Sequence, residues 1–459
     1  MKAVLVSTYE MGRQPFGVAS PAAWLKAAGW DVACVDVSKE KLASAVVENA
    51  DLVAFHLPMH TATRLAVPVI KTVRALNGRA RLCAYGLYAP LNERFLRSLG
   101  VDAVFGGEFE EDLAAFARDI SQPLDPHRRP QNPGNPLPRT HYPEPLPRIH
   151  FLIPDRSGLL PLAKYATLQM PDGSRRLVGY TEATRGCKHL CRHCPVVPIY
   201  EGQFRIVQPD VVAGDIQAQV AAGAQHITFG DPDFLNGPTH AMRVVDALHA
   251  AHPDVTCDVT IKVEHLLKHR DLLPRLAAAG CAFVTSAVES IDDRVLEIFD
   301  KGHTRADFVE AVGLCRAAGL TLIPTFVTFQ PWLTLGGYCE LLETIDALDL
   351  VDHVAPIQLA IRLLIPEGSR MLTVPEMQPH LRAFDAATLT HRWVHPDPRV
   401  DALHRDVSAL VGARVTANRR AVFEHISALA HERAGLLSPS PRPARSRATV
   451  PYLNEPWYC

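Results

Sequence analysis

Three things are scarce in this 459-residue sequence: long apolar runs, net charge and clustered cysteines. No segment approaches the roughly 18 consecutive apolar residues that cross a bilayer, which argues against a membrane protein. The 47 basic and 49 acidic residues leave a net charge of −2, which argues against broad electrostatic binding to nucleic acid or to an anionic membrane. The apolar run near the N-terminus is too short for a signal peptide. We therefore expect a cytoplasmic protein.

The ten cysteines do not form a pattern that predicts disulfide bonds, because disulfide frameworks belong to secreted chains. Three are clustered and one, Cys459, ends the chain. The other six are scattered singly in apolar surroundings, and we interpret them as buried, small hydrophobic side chains. These six are Cys34, Cys83, Cys257, Cys281, Cys315 and Cys339.

Residues 1–120 alternate short apolar runs with amphipathic segments such as Pro21–Ala28 and Ala66–Leu76. Short buried strands that alternate with helices predict a doubly wound parallel sheet of the flavodoxin or Rossmann type. Such sheets bind ligands at the carboxyl ends of their strands. The strand candidates are Ala3–Val6, Val32–Asp36, Leu52–His56, Arg81–Tyr85 and Ala103–Gly106.

The rest of the chain divides by composition. Residues 121–165 begin with a proline-dense stretch, which predicts an extended linker and a domain boundary. Residues 166–375 alternate again, which predicts a partial barrel of six β/α units, with a doubly wound sheet as the alternative. Residues 376–433 look helical, and 434–459 look like a flexible tail. The barrel strand candidates are Leu177–Thr184, His226–Phe229, Val259–Val263, Phe283–Ala287, Leu320–Thr328 and His353–Leu364.

The clearest chemical signal is a cysteine triplet, Cys187, Cys191 and Cys194. Three cysteines within eight residues point inward together only if their segment is a loop around a ligand, and thiolates suit an iron–sulfur cluster or zinc. Structural zinc usually takes four protein ligands, whereas no fourth cysteine is near. A three-ligand set leaves one metal position open. The alternative is a zinc knuckle completed by His189 or His193.

The C-x3-C-x2-C spacing after a predicted strand resembles the cluster motif of radical S-adenosylmethionine (SAM) enzymes. The resemblance implies a [4Fe–4S] cluster on the three cysteines, with SAM chelating the fourth iron. It also implies reductive cleavage of SAM to a 5′-deoxyadenosyl radical, with the electron coming from a flavodoxin- or ferredoxin-type donor. The family often has an aromatic residue before the third cysteine, where this chain has His193.

Two further segments resemble the SAM contacts of that family. Gly230, Asp231 and Asp233 follow the second predicted barrel strand, where the family binds the methionine amino group. Glu289 and Ser290 follow the fourth strand, where the family binds the ribose. Each segment alone has an ordinary interpretation, as a turn or as a solvated or capping residue. Both, however, follow strand ends, where barrel active sites are built. Lys262 and Arg362 are weaker candidates for SAM or substrate, with paired structural charges as the alternative.

A doubly wound sheet before such a barrel resembles the cobalamin-binding subclass of the superfamily. Many cobalamin domains carry an Asp-x-His-x-x-Gly loop after the first strand, but residues 7–17 contain no histidine. Any cobalamin therefore binds without that ligand, or the domain is a scaffold. His60 is the nearest histidine at a strand end and is the candidate cobalt ligand, with a turn or surface residue as the alternative.

The last residues resemble the start of a tail found in a subgroup of radical SAM proteins, whose chains end in Cys-Sec-Ala-Glu-Pro or Cys-Cys-Ala-Glu-Pro. The resemblance implies a selenoprotein whose product continues beyond Cys459. That cysteine would then form a redox pair with selenocysteine. A disordered terminus is the alternative.

The sequence as a whole predicts a radical SAM enzyme, with cobalamin as a candidate second cofactor and a small molecule or peptide as substrate. Methyl transfer, rearrangement, oxidation and peptide modification stay open, because no dedicated substrate domain is recognisable. The alternative is a non-catalytic regulatory protein that binds cobalamin or metal through a degenerate barrel.

Overall fold

A computed structural model describes residues 1–121, 148–413, 418–437 and 450–454 of the chain. Cys459, most of the predicted linker and most of the predicted tail lie outside these residues. Among the residues that the structure describes, no helix is both long enough and apolar enough to cross a membrane.

The N-terminal unit is a five-stranded parallel sheet with the strand order β2-β1-β3-β4-β5. This order is that of flavodoxin-like doubly wound sheets and confirms the predicted fold class. Its strands are β1 (Lys2–Ser7), β2 (Asp31–Asp36), β3 (Leu52–His56), β4 (Arg81–Tyr85) and β5 (Ala103–Phe105). Its helices are α1 (Phe16–Ala27), α2 (Ser44–Glu48), α3 (His60–Leu76), α4 (Glu93–Ser98) and α5 (Phe109–Ser121).

Helices cover both faces of this sheet, because successive side chains of each strand point to opposite sides. In β1, Val4 and Val6 pack toward α2 and α3, whereas Ala3 and Leu5 pack toward α1 and α5. With both faces buried, the open place for a ligand is the edge formed by the carboxyl ends of the strands.

The second sheet has seven strands in the order β13-β12-β11-β10-β7-β6-β16. Five are parallel, and β6 and β16 extend one edge in antiparallel fashion. The strands up to β13 are β6 (Thr167–Gln169), β7 (Arg175–Thr181), β8 (Thr184–Gly186), β9 (Phe204–Ile206), β10 (His226–Phe229), β11 (Thr256–Thr260), β12 (Cys281–Glu289) and β13 (Thr321–Phe326). The helices are α6 (Val197–Tyr200), α7 (Pro209–Ala221), α8 (Pro238–Ala251), α9 (Val263–Lys268), α10 (Leu273–Ala278), α11 (Asp293–Phe299), α12 (Arg305–Ala317) and α13 (Leu335–Ala347).

The sixth predicted strand, 353–364, is reduced to one parallel bridge between Phe329 and Arg362. A 3-10 turn, Pro356–Leu359, replaces its first half. Proline has no N–H to donate to a ladder. The side chain of Gln358 instead accepts the Phe326 N–H at 3.1 Å. The sheet is therefore a partial barrel that remains open beside β13.

The C-terminal region is mixed rather than wholly helical. It contains a hairpin of β14 (Leu381–Asp385) and β15 (Thr390–Trp393), then α14 (Pro398–Ala413) and α15 (Arg419–Ala434). The strand β16 (Tyr452–Leu453), which lies in the predicted flexible tail, pairs with β6. The edge of β6 has free backbone groups that this pairing satisfies.

Residues 148–165 hold the two sheets together. The side chains of Ile149 and Phe151 are buried in the barrel core, and Lys26 of α1 pairs with Asp155 at 2.8 Å. Arg156 pairs with the buried Asp215 of α7 at 2.9 Å. The carboxyl ends of the N-terminal strands consequently face the barrel.

Candidate active site

The cysteine triplet lies on a loop that begins at Cys187 and is closed by the antiparallel pair β8–β9. Gly186, the last residue of β8, has a φ of +76°, and a Cβ there would lie 2.3 Å from the Tyr200 side chain. Only glycine fits both the left-handed backbone and this close approach. The turn directs the chain from β8 directly into the cysteine loop.

The three thiols are largely enclosed and influence one another electrostatically. Burial, with a contribution from the neighbouring thiols, raises the pKa of Cys187 to about 11 and that of Cys194 to about 12. Cys191 is buried, 7% exposed. Cys187 and Cys194 therefore stay protonated unless a metal compensates the thiolate charge. The donor set therefore suits a cluster that takes three cysteine ligands.

The two histidines of the loop each lie beside a carboxylate. Nε2 of His193 lies 3.1 Å from the carboxylate of Glu289. Nε2 of His189 lies 3.3 Å from Asp233, which also pairs with His265 Nδ1 at 2.6 Å. Donor atoms of Cys187, His189 and Asp233 do lie within 4.8 Å of one another. This group balances its carboxylate with two imidazoles, and the assignment of a metal to the three thiols stays a prediction.

Glu289, the acidic residue predicted to bind ribose, lies beside the cysteine loop. Glu289 ends β12, has a φ of +69° and is 8% exposed. Burial alone would raise its pKa, but Lys301, at 3.5 Å, and His193 outweigh burial and lower it to about 2. A non-glycine residue held at positive φ stores strain of about 1–3 kcal/mol. The structure thus places a fixed, ionised carboxylate within reach of the loop, and Ser290 accepts the Asp292 N–H at 3.0 Å.

Asp231 and Asp233, in the segment after β10, make different contacts. Asp233 faces the cluster loop, and its pKa is lowered because His189 and His265 outweigh burial. Asp231 instead accepts the Ala183 N–H at 3.0 Å and the Thr184 hydroxyl at 2.5 Å. Burial raises its pKa to about 7. Asp231 therefore fixes the turn between β7 and β8, and its predicted contact with SAM stays a prediction.

Cationic side chains and an unpaired imidazole complete this edge of the barrel. Nζ of Lys262 lies 3.0 Å from His189 and from Glu264. Both ring nitrogens of His303 are buried and have no hydrogen-bond partner among the described residues. Burial and the two lysines, Lys301 and Lys262, lower its pKa to about 4.

Arg362, the second of the two weaker sequence candidates, contacts an aromatic ring and a carboxylate of the chain itself. Its guanidinium lies 3.5 Å from the centre of the Trp393 ring and 2.7 Å from the Asp401 carboxylate. The interpretation as a paired structural charge fits this geometry.

A cavity lies between the carboxyl ends of the N-terminal strands and the barrel. Its volume is about 250 Å³, and its mouth opens to solvent. The sheet contributes the loops after β1, β3, β4 and β5, and the barrel contributes the ends of β7, β8 and β10. Gly186, immediately before the first cluster cysteine, lines it as well. The cavity therefore runs from the sheet edge to the cluster loop.

A buried ionic network closes one side of this cavity. Arg185 lies 2.7 Å from Glu110, 2.7 Å from Glu182 and 3.4 Å from Glu108. Burial raises the pKa of Glu108 to about 7, although Arg185 opposes it. Glu108 and Glu110 belong to the N-terminal unit, whereas Glu182 and Arg185 belong to the barrel. The network therefore ties the two units together beside the cysteine loop.

The structure separates the histidine predicted as a cobalt ligand from this cavity. His60 begins α3, and its Nε2 lies 2.6 Å from the carbonyl of Thr388 in the C-terminal hairpin. His56, at the end of β3, lines the cavity and pairs with Glu10 at 2.8 Å. The prediction for His60 gains no support from this placement. Sequence reasoning missed His56 because β3 ends on it as a buried strand residue.

Two solved structures share the overall fold. The cobalamin-dependent SAM radical enzyme OxsB, with aqua-cobalamin and SAM bound, is 13% identical. It aligns over 90% of this chain and 66% of its own, with a TM-score of 0.63. The radical SAM methyltransferase TsrM from Kitasatospora setae is 18% identical over 76% of this chain and 71% of its own, with a TM-score of 0.58. At such identities the similarity establishes the fold.

The family comparison falls on the barrel. Residues 181–342 match the family described as the radical SAM superfamily. A tRNA-2-methylthio-N(6)-dimethylallyladenosine synthase from Desulfosudis oleivorans is 26% identical over 49% of each chain. Bacteriochlorophyllide d C-8(2)-methyltransferase from Chlorobaculum tepidum is 26% identical over 37% of this chain and 39% of its own. The matches thus span about half or less of these curated relatives.

Fold and site together define a partial barrel with a three-cysteine loop at the carboxyl ends of its strands. Residues 181–342, which include the three cysteines and Glu289, are similar to the radical SAM superfamily. The match favours catalysis over the non-catalytic alternative.

Proposed function

We propose that this protein cleaves SAM reductively at a [4Fe–4S] cluster held by Cys187, Cys191 and Cys194, and that it uses a cobalamin in the interdomain cavity for methyl transfer. The observation that carries the proposal is the cavity itself, which joins the ligand-binding edge of the N-terminal sheet to the start of the cysteine loop. When bound, the cluster supplies an electron to SAM and the cobalamin supplies a methyl carrier.

The residues of the chain have positioning and electrostatic roles in this proposal. Glu289 presents an ionised carboxylate, which can accept hydrogen bonds from a ribose diol. Asp233 and the cations beside it can hold the amino and carboxylate groups of an amino acid. His303, neutral because of its burial, supplies a donor and an acceptor. All of these groups are fixed before a ligand arrives, which lowers the entropic cost of binding.

The cavity supports cobalamin on two grounds. It lies at the carboxyl ends of a doubly wound parallel sheet, which is where such sheets bind ligands. The relatives named above add that methyl transfer occurs among similar proteins. We further propose a small-molecule or peptide substrate and an electron donor of the flavodoxin or ferredoxin type.

The test is reconstitution without oxygen, with iron, sulfide and hydroxocobalamin supplied. The purified protein should show broad brown absorbance, retain cobalamin on gel filtration and, after reduction, release 5′-deoxyadenosine or S-adenosylhomocysteine from SAM. Mass spectrometry of these two products separates radical release from methyl transfer. Binding of a single zinc ion, with no colour, would refute the cluster assignment.

Matched variants sharpen the test. Cys191→Ala should abolish both the absorbance and SAM cleavage, because it removes a cluster ligand. Cys339→Ala removes a thiol that is 1% exposed inside α13, and it should retain both. A Cys191→Ala protein that keeps the cluster would contradict the proposal.

A further inference from the structure

We propose that His56, oriented by the carboxylate of Glu10, is the protein ligand to the cobalt of a cobalamin bound in the interdomain cavity. This inference rests on the proposed function, because it requires cobalamin in that cavity. It assigns a ligand on the third strand, whereas the usual cobalamin loop follows the first strand.

The pair is built from two loops that meet at the sheet edge. His56 ends β3 and Glu10 lies in the loop after β1, and Nδ1 of the imidazole lies 2.8 Å from Oε1 of the carboxylate. Metal-ligating histidines commonly direct one ring nitrogen to a carboxylate, which fixes the ring and makes the other nitrogen a better ligand. Here Nε2 is that other nitrogen, and it has no hydrogen-bond partner among the described residues.

The carboxylate is itself held in place. Oε1 of Glu10 receives the hydroxyl of Ser7 at 3.4 Å, and Oε2 receives the N–H of Gly17 at 3.4 Å. The side chains of His56 and Glu10 are only 9% and 11% exposed. A pair with this little exposure, on a cavity wall, is positioned before any ligand binds.

Two glycines make room for the ring. A Cβ on Gly17 would lie 1.9 Å from Cε1 of His56, and one on Gly86 would lie 3.2 Å from Nε2. Gly86 also has a φ of +101°. The imidazole is therefore held between two backbone segments, beside the rings of Tyr85 and Phe109 at 5.3 and 6.1 Å.

The test is electron paramagnetic resonance of cob(II)alamin bound to the full-length protein. A nitrogen on cobalt splits each cobalt line into three for 14N and into two for 15N. Protein labelled with 15N-histidine and loaded with unlabelled cobalamin should show doublets, because the nitrogen belongs to the protein. His56→Phe keeps an aromatic ring between the glycines and should remove the splitting, whereas the control His60→Phe should keep it.

Bound cobalamin is measured separately, by absorbance after gel filtration. Glu10→Gln should keep the doublets and weaken cobalamin binding about 10-fold, as loss of a partner behind a metal ligand does. Triplets in the labelled protein, unsplit lines, or doublets that vanish with His60→Phe would each overturn the assignment. Protein that binds no cobalamin at all would instead overturn the proposed function.

Discussion

Replacing Arg185 by methionine tests whether one buried cation joins the two units. The substitution keeps an unbranched side chain of similar length and removes the guanidinium. Glu110 and Glu182, each 2.7 Å from that guanidinium, then lose their cationic partner in a buried site. The change strands carboxylates on both sides of the domain interface.

The loss in the free energy of unfolding depends on whether a carboxylate without its cation stays charged or takes up a proton. Breaking a buried ion pair by removing one partner costs about 3–5 kcal/mol. Protonating a carboxyl whose ordinary pKa is about 4.3 costs about 4 kcal/mol at pH 7.5 but only about 1 kcal/mol at pH 5. Without Arg185, a buried carboxyl has a higher pKa in the folded variant than in the unfolded chain. The loss of stability is therefore complete at high pH and shrinks as the pH falls toward the unfolded pKa. We expect Arg185→Met to lower the free energy of unfolding by about 3–5 kcal/mol at pH 7.5 and by about 1–2 kcal/mol at pH 5.

The assay is equilibrium urea unfolding of both proteins at the two pH values. Arg270→Met is the control, because Arg270 and Glu310, 2.9 Å apart, are each about half exposed. Such exposed pairs contribute below about 1 kcal/mol. An Arg185→Met loss that matches the control, or that does not shrink at pH 5, would refute the reasoning.

Two further substitutions test the edge of the barrel that carries Gly230 and Glu289. Gly230→Ala forces a Cβ to within 1.7 Å of the Tyr180 hydroxyl and should cost about 1–3 kcal/mol in thermal or urea unfolding. Gly313→Ala, with nothing within 4 Å, should gain up to about 1 kcal/mol, so equal effects would contradict the contact. Glu289→Gln should weaken SAM binding about 10- to 100-fold in equilibrium dialysis with iron content unchanged. The exposed Glu297→Gln should change neither quantity, and iron loss in Glu289→Gln would point instead to a folding role.

The sequence predicted the fold correctly where strands are buried on both faces of their sheet. Continuous apolar runs predicted all five N-terminal strands, and Leu52–His56 and Arg81–Tyr85 coincide with the observed bounds. The sixth barrel strand failed because Pro356 and the side chain of Gln358 replace ladder hydrogen bonds, which an apolar pattern does not reveal. Strand β16 was missed because two residues carry too little pattern.

The sequence likewise predicted some residues of the candidate site and missed others. Chain-local spacing predicted the cysteine loop, and strand ends located Asp233 and Glu289 near it. Asp231, two residues from Asp233, turned out to hold the backbone of the β7–β8 turn. His56 was passed over in favour of His60, because strand order alone does not show which side chain faces a neighbouring domain.

The sequence by itself predicted the class of chemistry, since three closely spaced thiols need no long-range contact to suggest a metal-binding loop. Only the tertiary structure decided what surrounds that loop. Glu10 and His56, or Arg185 and Glu110, are distant in sequence, and their pairing depends on strand order and on the docking of two sheets. Charge and hydrogen bonding act over a few ångströms, so partners brought together by topology become visible only after the chain is folded.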